Sequence, residues 1–319
     1  MSTEREDLLK YGLKDAVITG ATGMIGAALS TILTESGVRV TALVRPGSRK
    51  LSNLDRAKET GNLTIVPCAL SELSAFQPVP ADAWFHFGWD GVFGEARNDR
   101  SLQERNIEYT LTALRLAKEC GAGSLIFAGS QAQYGPVEGI LSEETPMQPV
   151  NAYGSAKKAA EEAGRALGRE LGIRFITARI LSVYGPCDND YTLCMHTIRT
   201  LLRKERPSFT KGEQIWDYLY ADDAARAMIA LSLRGRGGEA YVLGSGAARP
   251  LKEYIELIRD SIDPSLPLGL GDLPYPENQP MHLEADISKL QRDTGFVPKT
   301  AFEEGIRKTI EWVRREREE

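Results

Sequence analysis

The chain has 319 residues, 42% of them apolar and 26% charged, with a net charge of −5, enough for one large or two smaller α/β units with a substantial core. The acidic balance argues against nucleic acid as partner, and no run approaches the length of a membrane span. Cys68, Cys120, Cys187 and Cys194 form no Cys-x-x-Cys pair and His86, His196 and His282 lie far apart, so no metal site is expected and a reducing, cytoplasmic setting is.

The opening "MSTEREDLLKYGLK" is charged and lacks an apolar stretch, which reads as a short surface helix rather than a signal peptide. From Asp15 onward, strand-like runs alternate with helical patterns: "AVITG", "RVTALV", "LTIVPC", "AWFHFG", "SLIFAGS" and "RFITARI". Such alternation predicts an α/β, doubly wound parallel sheet with helices on both faces. A helix is predicted after Asn151, with Ala156, Ala160, Ala163, Leu167 and Leu171 on its buried face and Lys158, Glu161, Glu162, Arg165 and Arg169 largely opposite. Beyond Ser182 come short helical segments, Gly- and Pro-rich loops such as "DPSLPLGLGDLPYPENQP", and an amphipathic helix near Phe302 to Arg314. "IWDYLYADDAARAMIALSL" interrupts them with a strand and a helix whose start is marked by Asp222 and Asp223, a segment expected to return to the main sheet. The smaller lobe is therefore expected to be discontinuous, with residues 1–181 and 214–243 in the sheet domain and 182–213 and 244–319 in a C-terminal substrate lobe.

"VITGATGMIGAALSTIL" places Gly20, Gly23 and Gly26 where the first strand passes into the first helix. Glycines there allow a tight turn and close approach of backbone N–H groups to a pyrophosphate, at the favourable end of a helix dipole. The spacing is Gly-x-x-Gly-x-x-Gly, not the commonest Gly-x-Gly-x-x-Gly fingerprint.

"TGATGMIG", "FHFG", a helix containing Asn106, "FAGSQAQYG" and "NAYGSAK", followed by "ARILSVYGP", "WDYLYADDAARA", "EAYVLGSG" and "ADISKLQRDTGFVP", resemble the extended short-chain dehydrogenase/reductase family of nucleotide-sugar epimerases, dehydratases and reductases. The resemblance covers nearly all of the chain after Lys14. It implies a Rossmann-type fold and a nicotinamide dinucleotide held by Gly20, Thr22, Gly23, Met24, Ile25, Gly26, Phe87 and Gly88, with Asn106, Tyr153 and Lys157 near the nicotinamide. It also implies a homodimer through the helix after the fourth strand and the Tyr-Lys helix, with Leu102, Tyr109, Ala113, Leu116, Ala159 and Ala163 as candidate apolar surface.

Tyr153 and Lys157 stand four apart and share a helix face. Hydride transfer at a carbinol carbon needs a proton moved to or from its oxygen, and a tyrosine near pKa 10 is a poor base at neutral pH. Lys157 one turn away favours the phenolate, and Ser130 would hold the substrate oxygen. Asn106 has a second reading, as a buried amide satisfying backbone groups, and His86 is read as structural.

An acid at the end of the second strand normally selects NAD, and an arginine accommodates a 2′-phosphate. "VTALVRPGSRK" has Arg45, Arg49 and Lys50 and no acid, which favours NADP(H) and leaves NAD(H) open. Members that perform 4,6-dehydration carry an Asp-Glu pair after the serine or threonine. Here Gln131-Ala132 stands there, which leaves 4-keto reduction or 4-epimerisation. Those that epimerise at two carbons carry a cysteine and a histidine where Ala132 and Cys187 stand, so Cys187, an acid/base in a second reading, lacks its partner and is favoured as a small pocket residue.

The family's diphosphate-clamping arginine and its Tyr-Gly-Pro-string asparagine are replaced by Trp216 and Ser182, and a second arginine by Asn278 and Gln279. Either Arg179, Arg199 or Lys211 then takes the phosphates, or the sugar donor is an unusual one. Gln131, Ser182, Trp216 and Trp89, with Arg97 and Arg100 in "GWDGVFGEARND", are the other substrate-side candidates, Trp216 being equally readable as a core residue. A non-catalytic, NADP-binding redox-sensing regulator is the alternative of a different class, one expected to have lost the tyrosine or lysine that this chain keeps.

Overall fold

The computed structural model describes residues 12–137, 139–276 and 279–316; the opening segment read as a surface helix lies largely outside them. Seven strands build the main sheet: β1 (Asp15–Thr19), β2 (Arg39–Val44), β3 (Leu63–Pro67), β4 (Ala83–His86), β5 (Ser124–Ser130), β6 (Arg174–Ile180) and β7 (Ala240–Leu243). Their order is β7-β6-β5-β4-β1-β2-β3, every pair parallel. Order reverses between β1 and β4, the position where such sheets open a crevice beyond the strand ends.

The central strands are apolar on both sides because both sheet faces are covered. Ile18, Phe85, Ile126 and Ile176 face one layer, packed with Leu29 and Leu33 of α1 (Met24–Glu35). Val17, Trp84, Leu125 and Phe175 face the other, against Ala113 and Leu114 of α2 (Arg100–Glu119) and Ala156 and Ala160 of α3 (Ala152–Leu171). Ala113 and Leu116 are thus core residues rather than dimer surface. Glu161 also faces inward, with Tyr153 and Lys157, against the expectation that it lies on the solvent side.

The second lobe has its own core, in which helix Leu193–Leu202, α5 (Leu251–Ile262) and α6 (Phe302–Glu316) enclose Ile198, Tyr254, Ile258, Phe302 and Ile306. "IWDYLY" does not rejoin the main sheet. Ile215–Trp216 pairs with Arg249–Pro250 and His282–Ala285, and Tyr218–Tyr220 pairs with Ser182–Tyr184. The helix that follows, α4 (Ala221–Arg234), does return, its Ala224, Met228 and Leu231 packing in the layer of α1. Asp223 is buried there and accepts the Lys299 and Thr300 amides at 3.0 and 2.7 Å, fastening the chain ahead of α6. Two further segments cross the expected boundary: Ile140–Leu141 joins the small-lobe sheet, and Leu290 and Phe296 sit in the main-sheet core.

Candidate active site

Beyond the ends of β1 and β4 the chain makes a backbone cradle. Gly20 has φ +71°, and a Cβ there would lie 2.7 Å from the Gly88 nitrogen; one on Gly26 would lie 2.8 Å from Ala21 Cα. Only glycine lets the turn close this tightly on the helix behind it. α1 starts after Gly23 with no side-chain cap and no acid in its first turn, so its free N–H groups and dipole are available to an anion. Asn53 steadies the turn, its Nδ2 donating to Thr22 O at 2.8 Å. These features fit a dinucleotide pyrophosphate. Arg45 stands exposed just past the end of β2, with no acid in the loop that follows.

His86 is buried at the end of β4, with Nδ1 2.7 Å from Thr19 Oγ1 and Nε2 3.3 Å from Thr110 Oγ1. Burial and the nearby Lys157 hold its pKa down to about 3, so it is a neutral tie between β1, β4 and α2.

The end of β5 and the start of α3 come together beside this cradle. Asn151 caps α3, its Oδ1 accepting the Gly154 amide at 2.8 Å. A Cβ on Gly154 would lie 2.9 Å from the Ala132 carbonyl carbon, so the helix can press against the turn after Ser130. Tyr153 is thereby brought close to Ser130. Burial pushes its phenol up, opposed first by the Ser130 hydroxyl and then by the charge of Arg97. Lys157 is 3% exposed, donates from Nζ to Ala128 O at 2.6 Å and is pushed well below its ordinary pKa by burial.

A cavity of about 670 Å³ opens next to Gln131, between the main sheet and the small lobe, a volume suited to a ligand larger than a simple sugar. Met24 and Ile25 line its sheet side, Ser182 and Trp216 its lobe side, and the Trp216 indole donates to Ser182 Oγ at 2.9 Å. Gln131 Oε1 is buried without a hydrogen-bond partner among the described residues. Asp188 is the one charged residue in the described lining, and burial raises its pKa to about 6.

Trp89 is almost fully buried beside the Tyr-Lys pair: its indole donates to Gln103 Oε1 at 2.8 Å, its ring stands edge-on to Tyr153, and Lys157 Nζ sits 3.7 Å from its ring centroid. Two expected roles are corrected, those of Arg179 and Asn106. Arg179 is not available to a substrate. Its guanidinium is buried against Glu161, with bonds of 3.0 and 2.6 Å, and Nη1 donates to Tyr134 Oη and Glu143 O. Asn106 spends its amide on backbone, accepting Asp90 N at 2.8 Å and donating to Asp90 O and Leu102 O at 2.9 and 3.1 Å, so it shapes the turn after β4 rather than contacting a cofactor.

Of the remaining cations, Arg199 pairs with Asp190 and Glu316. Lys211 is exposed and follows Thr210 of the cavity lining. Cys187 is pushed up to about 12 by burial, which keeps it a thiol and suits a packing residue. Sequence reasoning missed the network behind Ser130: the Ser130 amide donates to Gln133 Oε1 at 2.8 Å, and Gln133 Nε2 donates to Glu161 Oε2 at 2.7 Å. Its signal was the spacing of Tyr153, Lys157 and Glu161, each four apart on one helix face.

Comparison with known proteins places the site in a family. A model described as the NAD dependent epimerase/dehydratase family matches residues 16–244. The dTDP-glucose 4,6-dehydratase of Neisseria gonorrhoeae is 25% identical over 343 residues, spanning 94% of this chain and 96% of that protein. That of Streptomyces niveus is 27% identical over 318 residues, spanning 93% and 92%. Among solved structures, UDP-N-acetylglucosamine 4-epimerase from Methanobrevibacter ruminantium M1, in complex with UDP-N-acetylmuramic acid, superimposes with a TM-score of 0.86 at 24% identity, covering 95% of this chain and 99% of that one. DesIV, the dTDP-glucose 4,6-dehydratase from Streptomyces venezuelae with NAD and TYD bound, gives a TM-score of 0.82 at 23% identity, covering 95% and 98%. With its parallel seven-stranded sheet, glycine cradle and family match over well more than half its length, the chain belongs to the NAD dependent epimerase/dehydratase family.

Proposed function

We propose that the protein transfers a hydride at the C4 carbinol or ketone of a nucleotide-diphosphate sugar, as a 4-keto reductase or a 4-epimerase. The observation that supports this reading is the closeness of Tyr153 to Ser130 and Lys157, with Gln131, the residue after Ser130, and Met24 and Ile25 of the helix behind the glycine turn in one cavity lining. Bound at the cradle, a nicotinamide dinucleotide supplies or accepts the hydride. Tyr153 gives or takes the proton on the sugar oxygen, Ser130 orients that oxygen, and Lys157 adds positive charge behind the phenol. Gln131 and Ala132 offer no carboxyl group where dehydration needs an acid and a base, which favours the single-centre reactions.

Arg45 at the end of β2 supports NADP(H) over NAD(H). Lys211, at the rim, is the cation we assign to the diphosphate, with Trp216 and Ser182 on the sugar or base. The groove between α2 and α3, where Pro149, Val150, Ala152 and Ala159 are on the surface, is the face we assign to a homodimer.

The test is to identify the dinucleotide released on denaturation, titrate NADPH against NADH, and assay 4-keto nucleotide sugars. A tight preference for NADPH with turnover of a keto-sugar supports the reductase; NAD+ carried through purification supports the epimerase. Tyr153→Phe is expected to lower turnover about 10³-fold with dinucleotide binding retained. Full activity in that variant would overturn the mechanism, and the absence of turnover from both proteins would revive the regulator.

A further inference from the structure

Tyr153 has a second cation against it, delivered by the segment between β4 and α2. The Arg97 guanidinium lies 4.3 Å from the Tyr153 ring centroid, closer than Lys157 Nζ at 5.9 Å. Arg97 has no carboxylate partner among the described residues, and its one polar contact is a long bond from Nη1 to Val92 O at 3.3 Å.

The segment that carries it is tightly held. Gln103 of α2, 1% exposed, accepts the Trp89 indole N–H and donates from Nε2 to Gly91 O and Ala96 O at 2.8 and 2.9 Å. Asp99 caps α2 immediately after, accepting the Leu102 amide at 3.0 Å. One buried amide thus sets both Trp89, edge-on to Tyr153 with centroids 6.2 Å apart, and the turn that presents Arg97.

We propose that Arg97 is a positioning residue for the proton-transfer step: stacked on Tyr153, it holds the ring and favours the phenolate over the phenol. A guanidinium over an aromatic face is attracted to it, more strongly where water is excluded, and anionic oxygen on the ring strengthens the attraction. Lys157 is the more distant cation, and loss of water around it disfavours its charge, although its contact with the Trp89 ring works the other way. The groups against Tyr153 are Ser130 on β5, Lys157 on α3, Arg97 on its turn and the uncharged Trp89 ring, with neutral His86 on β4 near Lys157. No carboxylate is among those acting on it. Arg97 thus supplies positive charge that is not lost on burial, since a guanidinium stays protonated throughout the working range.

This inference rests on the hydride-transfer reading for its catalytic meaning, and its test is separable from it. The ionisation of Tyr153 is followed by ultraviolet phenolate absorbance, as the difference from Tyr153→Phe in the same background, in the full-length protein and in Arg97→Met, Arg97→Gln and Arg97→Lys. Removing the charge is expected to move ionisation up by about one pH unit or more, with Arg97→Lys recovering part of the shift. In the alcohol-oxidising direction the acidic limb of kcat/KM, which needs phenolate, moves up by the same amount at unchanged KM. An unshifted Tyr153 titration in both Met and Gln variants overturns the proposal, whatever happens to the rate. So does a raised KM with an unshifted limb, which makes Arg97 a substrate clamp. If no nucleotide sugar turns over, the absorbance titration still decides.

Discussion

The two walls of the cleft are built by different means. The cofactor wall is backbone: the ends of parallel strands, a glycine turn and an uncapped helix start within a few residues of one another. The wall we assign to the substrate is side chain, assembled from short strands and loops as far apart in sequence as Ser182, Trp216 and Gln279. A wall of backbone tolerates little added volume, whereas a wall of side chains tolerates exchange. That contrast teaches that the glycine turn is fixed by close backbone approach, whereas the facing wall is free to change its side chains.

The largest effect is expected where the two walls are joined. Arg179 links α3 to Glu143 O, and Tyr134 Oη donates to Ser142 O at 3.0 Å, next to the strand that enters the small-lobe sheet. Glu161→Ala leaves a buried guanidinium without its carboxylate, expected to cost about 3–5 kcal/mol in a denaturant titration. A loss below about 1 kcal/mol would show that the pair is replaceable and that the walls are held by packing alone.

Within the cofactor wall, Gly26→Ala pushes a methyl group into the backbone of Gly20 and Ala21. A destabilisation of about 1–3 kcal/mol is expected, with dinucleotide affinity reduced about tenfold or more. Unchanged affinity in a binding titration would mean that the turn shifts freely, against the contrast drawn here. Within the substrate wall, Trp216→Leu is expected to be the mildest, raising KM about tenfold with kcat and the dinucleotide constant preserved. A fall in kcat at constant KM would instead place Trp216 at the reacting carbon.

Strand by strand, much of the main domain was legible because a parallel sheet covered on both faces needs unbroken apolar runs, and "AVITG", "SLIFAGS" and "RFITARI" are such runs. The Tyr153–Lys157 pair and the turn were legible because their spacing is local. Arg179 was misassigned because it is a chemically plausible ligand whose donors are taken by residues distant in sequence, Glu161 above all. Glu161 itself was placed on the solvent face, although its four-residue step from Lys157 pointed inward; a buried carboxylate is expected only once its partner is known.

By itself, then, the sequence determined the sheet class, the position of the glycine turn between the first strand and the first helix, and the four-residue step that puts Tyr153 and Lys157 on one helix face, since periodicity and short-range spacing encode all of these. Only the tertiary structure decided which cations remain free for a ligand, which strand joins which sheet, and that Arg97 lies over Tyr153. Those outcomes depend on contacts between residues tens to hundreds of positions apart, where burial, not residue type, sets whether a charge is spent inside the fold or offered at its surface.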